Sequence, residues 1–297
     1  MILAQEFSRS SKARAADFTT SRTERAVFDL QERRQAAPIV DVYDDTPEPA
    51  LQRTVRVRGA LIAQFAASDA TTFADAVELI RPYVDGVDLN CGCPQPWAYS
   101  EHIGSYLLRQ PDTVRDMIRA ARARLGDENF PVSIKIRVDN DIQNTQRLVE
   151  TAIHAGVSHI TVHGRTRHQA STVPVSLPAI KSAVEFAAGR VPVVANGDVW
   201  SSQDVARIRA ETGVHAVMAA RGLLANPALF AGFEHTPDDA IKRFLQLAVD
   251  YGLQFGLVHR HIAFMLESRL SRPGMKHFNS LLSVSALIDW LEEHGIM

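Results

Sequence analysis

Val193-Val194-Ala195-Asn196-Gly197-Asp198 and, farther on, Met218-Ala219-Ala220-Arg221-Gly222 share one pattern. Each is a short apolar run that stops at a polar side chain beside a glycine. Apolar runs of this length without polar alternation read as strands covered on both faces, as in parallel sheets. The glycine lets the backbone turn sharply and bring N–H groups close to a ligand. Working outward, the strand candidates are Leu61–Ala66, Gly86–Asn90, Val132–Val138, His159–His163, Val191–Ala195 and Ala216–Ala220. Helix-like stretches lie between them near 70–83, 103–125, 142–156, 177–190 and 201–212. Ser68–Asp69, Asp112–Thr113 and Ser201–Ser202 supply start signals.

Repeated β-then-α order implies a parallel sheet with crossover helices. Polar residues stand near or just after the strand C-termini: Gln64, Asn90, Lys135, Arg137, His163, Asn196, Asp198 and Arg221. An open doubly wound sheet gathers its ligand groups at one switch point. Functional groups at the end of every strand instead fit a (β/α)8 barrel. In such barrels the loops after strands 7 and 8 commonly hold a phosphate. The two quoted runs are the last before a helical tail, so the six strands are numbered 3 to 8.

The chain has 297 residues, 46% hydrophobic and 22% charged, which excludes disordered and fibrous classes. The best membrane-span candidate, Val214–Phe233, is interrupted by Arg221 and Asn226, so no membrane partner is expected. A net charge of −2 does not advertise a nucleic-acid partner, although a local basic face is compatible with it. The two cysteines, Cys91 and Cys93, stand one residue apart and fit a reducing compartment. Cys-x-Cys supplies two ligands and no second cluster has suitable spacing, so no metal site is expected. No secretory signal is visible at the N-terminus. Ser8–Arg25 has a presequence-like composition, but Glu6, Asp17 and Glu24 argue against mitochondrial import. The expected location is the cytoplasm, with the nucleus as an alternative.

Residues 1–235 form the expected barrel, with 29–59 as an inserted loop. Residues 236–297 lose the βα rhythm and read as a helical domain. Its helices are Asp238–Gly256, Leu257–Ser271 and Phe278–His294, with a break at Arg272–Pro273–Gly274.

In Asp88-Leu89-Asn90-Cys91-Gly92-Cys93-Pro94, alternation puts Asp88 and Asn90 on one face of the strand. Gly92 and Pro94 favour a turn that presents Cys93 above the strand end. A buried thiol beside a turn is the plain alternative. In Val132-Ser133-Ile134-Lys135-Ile136-Arg137, two cations share one face and call for an anionic or polar partner, unless the strand is a solvated edge. His163-Gly164-Arg165-Thr166-Arg167 puts a histidine and two arginines at one strand end, which favours an anionic ligand.

Asn90-Cys91-Gly92-Cys93-Pro94, Lys135-Ile136-Arg137, His163-Gly164-Arg165-Thr166-Arg167, Ala195-Asn196-Gly197-Asp198 and Ala220-Arg221-Gly222, with Asn226-Pro227 beyond, together resemble the tRNA-dihydrouridine synthase family. Cys91 to Ala98 is most similar to the eukaryotic subgroup that acts on D-loop positions 20a and 20b. The resemblance covers about residues 1–26 and 60–297. It implies an FMN-containing barrel followed by a helical RNA-binding domain, reducing tRNA uridine to 5,6-dihydrouridine with NADPH or NADH. It further implies that Gln64, Lys135, His163, Asn196, Gly197, Asp198, Ala220 and Arg221 line FMN, with Gly222 in the same phosphate loop. Asn90 would touch flavin or uracil. Arg137, Arg165 and Arg167 would face the RNA or the target nucleotide.

Cys93 would be the general acid, because hydride addition at uracil C6 leaves C5 in need of a proton. An ordinary thiol, with a pKa of about 8.5, is mostly protonated at neutral pH and can supply it. The tail offers His259, Arg260, His261, Arg269, Arg272, Lys276 and His277 for phosphate contacts. In this alignment Met1 falls at the end of strand 2. The family's Ala-Pro-Met-type FMN contact on strand 1 therefore has no counterpart in these residues. Two other readings stay open: a small-molecule FMN oxidoreductase, and a shortened RNA-binding form without catalysis. Oligomeric state is not legible.

Overall fold

The computed structural model describes residues 1–17, 27–31 and 54–297. They divide into two compact units: Met1–Ile134 with His154–Ser158, and Lys135–Ile153 with His159–Met297. The strands are β1 (Ile2–Leu3), β2 (Val27–Gln31), β3 (Thr54–Arg58), β4 (Ile62–Ala66), β5 (Gly86–Cys91), β6 (Val132–Arg137), β7 (Ile160–His163), β8 (Val193–Asn196) and β9 (Ala216–Met218). The main sheet has the order β1-β4-β5-β6-β7-β8-β9, and β2 pairs only with β3. Each main-sheet strand lies beside the next in sequence, with no switch point. This is the strand order of the expected barrel class. β1 takes the place expected for the end of strand 2.

In the first unit, β1 pairs in parallel with β4, Ile2 opposite Phe65. β4 pairs in parallel with β5, Gln64 opposite Asp88. Every residue of β5 is buried, as its apolar pattern predicts. Helices α1 (Ala4–Arg9) and α2 (Ser11–Asp17) follow β1, and Phe7 packs edge-on against Phe65 at 5.2 Å. Helix α3 (Ala70–Ile80) is capped by Asp69, whose side chain accepts Thr72 N–H at 2.8 Å. A short α4 (Pro96–Ser100) follows β5. Helix α5 (Pro111–Leu125) buries Val114, Met117, Ile118, Ala121 and Leu125, the single face that its helical spacing predicts.

The long helix expected over 103–125 is two elements, a 3-10 turn at Gly104–Arg109 and then α5. Pro111 lacks an N–H and forces Gln110 out of the helical region, so the two cannot fuse. Of the expected loop over 29–59, the two ends form an antiparallel ribbon, Val27 opposite Arg58 and Gln31 opposite Thr54. Residues 32–53 lie outside the described residues.

In the second unit, β7 pairs in parallel with β8, His163 opposite Asn196, and β8 with β9, Asn196 opposite Met218. Strand ends that carry polar residues are thus level. Helix α6 (Ile142–Ala155) begins in this unit. Helix α7 (Leu177–Ala187) starts under a Ser176 cap. Helix α8 (Ser202–Thr212) starts with a Ser201/Asp204 capping box, which satisfies otherwise orphaned N–H groups from both directions. A short α9 (Arg221–Ala225) follows β9.

The tail forms α10 (Asp238–Asp250), α11 (Phe255–Leu266), α12 (Arg272–Phe278) and α13 (Val284–Glu293). These helices enclose their own apolar core, including Ile241, Leu245, Ile262, Leu266, Phe278, Leu287, Trp290 and Leu291. The expected break at Arg272–Pro273–Gly274 is instead the first turn of α12, with Ser271 capping Gly274 N–H. Proline at a first helical turn loses no hydrogen bond and presets the backbone, so here it starts a helix. Among the described residues no helix is long and apolar enough to cross a membrane.

Candidate active site

In the first unit a chain of hydrogen bonds runs from the sheet to the turn after β5. Ser133 Oγ donates to Asp88 Oδ1 at 2.6 Å, and Gln64 Nε2 donates to Asp88 Oδ2 at 2.7 Å. Asn90 Nδ2 donates to Gln64 Oε1 at 2.8 Å. Asn90 Oδ1 then accepts the backbone N–H groups of Gly92 at 3.0 Å and Cys93 at 2.9 Å. Strand alternation and the Gln64–Asp88 register put these side chains on one face. Asp88 and Asn90 are buried, and Ser133 is fully so. A carboxylate only accepts, so Asp88 fixes which way Gln64 points, and Gln64 fixes Asn90 in turn.

That chain separates the two thiols. Cys91 is fully buried at the end of β5. Burial, with the negative Asp88 as a second cause, holds its thiol well above the ordinary range. Cys93 sits half-buried on the turn. Its carbonyl accepts Ser105 N–H at 2.9 Å. Gly104, at φ +64, packs against it: a Cβ there would lie 2.8 Å from Cys93 Cβ.

In the second unit His163, Arg165, Asn196, Gly197, Asp198, Ala220 and Arg221 line one cleft, together with Ser171 and Trp200. Gly197 (φ +111) and Asp198 (φ +51) both take left-handed backbone. Glycine is required at 197, where a Cβ would come within 2.5 Å of Val175 Cγ1 and 2.9 Å of His163 Cδ2. Aspartate tolerates this region better than most residues. The turn aims the Asp198 carboxylate at Arg165, whose Nη2 donates to both oxygens at 2.6 Å. Val175 N–H donates to Asp198 at 3.0 Å and Arg221 Nη2 at 3.1 Å. Burial raises the Asp198 pKa, but these hydrogen bonds and the two guanidinium charges outweigh it and hold the carboxyl below its usual range.

Arg165 is 2% exposed. Besides Asp198 it donates from Nε to Val173 O and contacts His163 Nε2 at 3.1 Å from Nη1. Burial, aided by Arg137, Lys135 and Arg165 and opposed by Asp198, pushes the His163 pKa down to about 3. Arg221 is 43% exposed on its side chain, donates to Ser171 O at 3.2 Å, and lies 5.0 Å from the Trp200 ring centroid. Asn196 Nδ2 donates to Met218 O at 2.9 Å.

The structure thus gathers Gln64, Asn90 and the Cys93 turn in one unit, and the His163-to-Arg221 set in the other. Lys135 and Arg137 are half-buried on β6, and Arg137 Nη1 donates to Thr166 O at 2.8 Å. Arg167 is half-buried on the turn after β7. Sequence reading missed Ser133, Ser171 and Trp200, and gave Asp88 no role. Period-two alternation with Asn90 was the available signal for Asp88. Among the tail cations Arg260, Arg269, Arg272, Lys276 and His277 are exposed. His259 instead stacks on Phe278 and pairs with its carbonyl at 2.9 Å. No group of metal-binding side chains occurs among the described residues.

The cleft's donor set is a half-exposed guanidinium, backbone turns at two glycines, and a neutral imidazole beside two further cations. It suits a ligand with an anionic end and ring carbonyls.

The sequence profile of the family described as "Dihydrouridine synthase (Dus)" matches residues 1–286. A mouse protein named "tRNA-dihydrouridine(20a/20b) synthase [NAD(P)+]-like" is 40% identical over 297 residues, covering 99% of this chain and 79% of that one. The fission yeast "tRNA-dihydrouridine(20a/20b) synthase [NAD(P)+]" is 41% identical over 238 residues, covering 80% and 72%. Among solved structures, DHODH from Eimeria tenella in complex with ferulenol aligns with a TM-score of 0.48 at 15% identity, covering 71% of this chain and 63% of that one.

Proposed function

The chain belongs to the dihydrouridine synthase family, and on that premise we propose how its own residues carry the reaction. It is an NAD(P)-linked oxidoreductase that reduces uridine to 5,6-dihydrouridine in the D-loop of tRNA. The observation that carries this is the identity of about two residues in five, held over nearly the whole chain, to the 20a/20b enzymes.

FMN is the cofactor that best fits the second unit's donor set. When bound and reduced by NADPH or NADH, it supplies a hydride to uracil C6. Arg221, with the turns at Gly197 and Ala220–Gly222, holds the phosphate. Lys135, His163, Asn196 and Asp198 surround the remainder.

Cys93 then delivers its thiol proton to C5 on the turn that Asn90 fixes, and recovers a proton from water. The two additions sum to one hydride and one proton across the C5–C6 bond. The buried Cys91 is unsuited to this task, since its thiol has no route to a nucleotide. Asn90 orients the uracil. Arg137 and Arg167 meet the target nucleotide, and Arg165, 2% exposed, orders the cleft through His163 and Asp198. The uridine must leave its stack to reach the site, at about a few kcal/mol, less in a loop than in a duplex. Exposed Arg260, Arg272, Lys276 and His277 on the helical tail, residues 236–297, offer phosphate contacts toward that end. Two free thiols support a reducing compartment, the cytoplasm or nucleus.

The test is to incubate the purified chain with unmodified tRNA, FMN and NADPH and to map dihydrouridine by position. Product at 20a or 20b is expected. Flavin binding and NADPH oxidation without dihydrouridine in tRNA would favour a small-molecule oxidoreductase instead.

A further inference from the structure

One histidine in the second unit's cleft has its chemistry fixed by a neighbour. Arg165 Nη1 lies 3.1 Å from His163 Nε2. A guanidinium has five N–H donors and no acceptor, and it stays charged throughout the pH range of folded proteins. In this contact Nε2 must therefore offer a lone pair and carry no proton.

Arg165 has no freedom to turn away. Its Nη2 is held by both oxygens of Asp198 at 2.6 Å, its Nε by Val173 O, and the residue is 2% exposed. The ring lies close against the Gly197 backbone, where any side chain would collide with it: a Cβ there would stand 2.9 Å from Cδ2 and 3.1 Å from Nε2. The other ring nitrogen, Nδ1, has no hydrogen-bond partner among the described residues, and His163 lines the cleft.

We propose that Arg165 is a positioning residue that locks His163 as a neutral imidazole with its single proton on Nδ1, so that His163 works in the cleft as a fixed hydrogen-bond donor to a ring carbonyl and not as an acid. The surrounding charges agree. Lys135 and Arg137 on β6 and Arg165 after β7 all disfavour the imidazolium, while Asp198 after β8 opposes them incompletely. The consequence for catalysis rests on the flavin-dependent reading. A neutral imidazole can polarise a carbonyl without surrendering its proton. The two donors then have separate tasks: His163 supports charge on oxygen, and Cys93 supplies the proton to carbon.

The test is long-range ¹H–¹⁵N NMR on the full chain labelled at histidine, with His163→Gln used to identify the His163 signals. From about pH 8 to about pH 5, Nδ1 should stay pyrrole-type and Nε2 pyridine-type, without titrating. A proton on Nε2, or a titration within that range, would overturn the proposal, and the unmodified protein alone decides it. In folded Arg165→Met, the ring should populate both tautomers within the same pH range. An unchanged ring in that variant would remove Arg165 from the role. This readout needs neither flavin nor tRNA. Failure of the flavin-dependent reading would show separately, as absence of dihydrouridine with the wild-type chain.

Discussion

Asn90 Oδ1 accepts the backbone N–H of Cys93 at 2.9 Å, and the same amide donates to Gln64 at 2.8 Å. The thiol-bearing turn is therefore tied through one side chain to the interior of the sheet. Asn90→Ala should retain flavin and lower the rate of dihydrouridine formation by about 100-fold, the scale of a misplaced catalytic group. Single-turnover rates with saturating tRNA measure this. Full activity would show that the turn holds itself.

Asp88 is the acceptor that sets the direction of the whole chain. Asp88→Leu leaves the Gln64 amide without its acceptor, at about 1–3 kcal/mol, and leaves the Ser133 hydroxyl only the Val87 carbonyl at 3.4 Å. Asp88→Asn still offers one acceptor but also admits the reversed amide order. Stability should fall clearly for the leucine and little for the asparagine, while activity falls for both. Denaturant midpoints beside single-turnover rates separate the two effects.

Arg221 is half-exposed and Arg165 is buried, although both pair with Asp198. Arg221→Ala should weaken FMN retention more than tRNA binding, read as flavin absorbance after desalting and as a filter-binding affinity. Unchanged flavin content would remove the phosphate role. Asp198→Ala should instead destabilise the fold by about 3–5 kcal/mol, because it strands a buried guanidinium.

Stability should fall in acid. The folded His163 pKa lies near 3, below its unfolded value of about 6.5, so between them the unfolded chain binds more protons. The His163 contribution is full above about pH 6.5 and is lost as pH falls toward 3. Asp198 acts in the same direction, since its lowered pKa gives stability that disappears as pH drops through the folded value. Thermal midpoints should decline below about pH 6.5, and His163→Gln should flatten the upper part of that decline.

The sheet was largely legible because its strands are apolar runs that end in polar residues. Six of the seven main-sheet strands follow from that rule, and the Ser201 cap of α8 from its start signal. The β2–β3 ribbon was not, because its strands pair across an intervening stretch that carries no hairpin signal. Proline misled at residue 273, where it opens a helix. In the site, residue types near strand ends singled out residues that share one cleft. Their partnerships did not show, since Arg165 meets Asp198 thirty-three positions away and Ser133 meets Asp88 forty-five positions away. Sequence reading aimed Arg165 at the nucleotide. Its 2% exposure follows from that distant carboxylate.

The most direct measurement compares Cys93→Ala with Cys91→Ala for dihydrouridine formed in tRNA, at matched flavin content. The half-buried turn and the fully buried strand end predict that Cys93→Ala loses most product and Cys91→Ala keeps it. Full product from Cys93→Ala with loss in Cys91→Ala would contradict the assignment of the acid. Wild-type chain that holds flavin yet leaves tRNA unmodified would contradict the account as a whole.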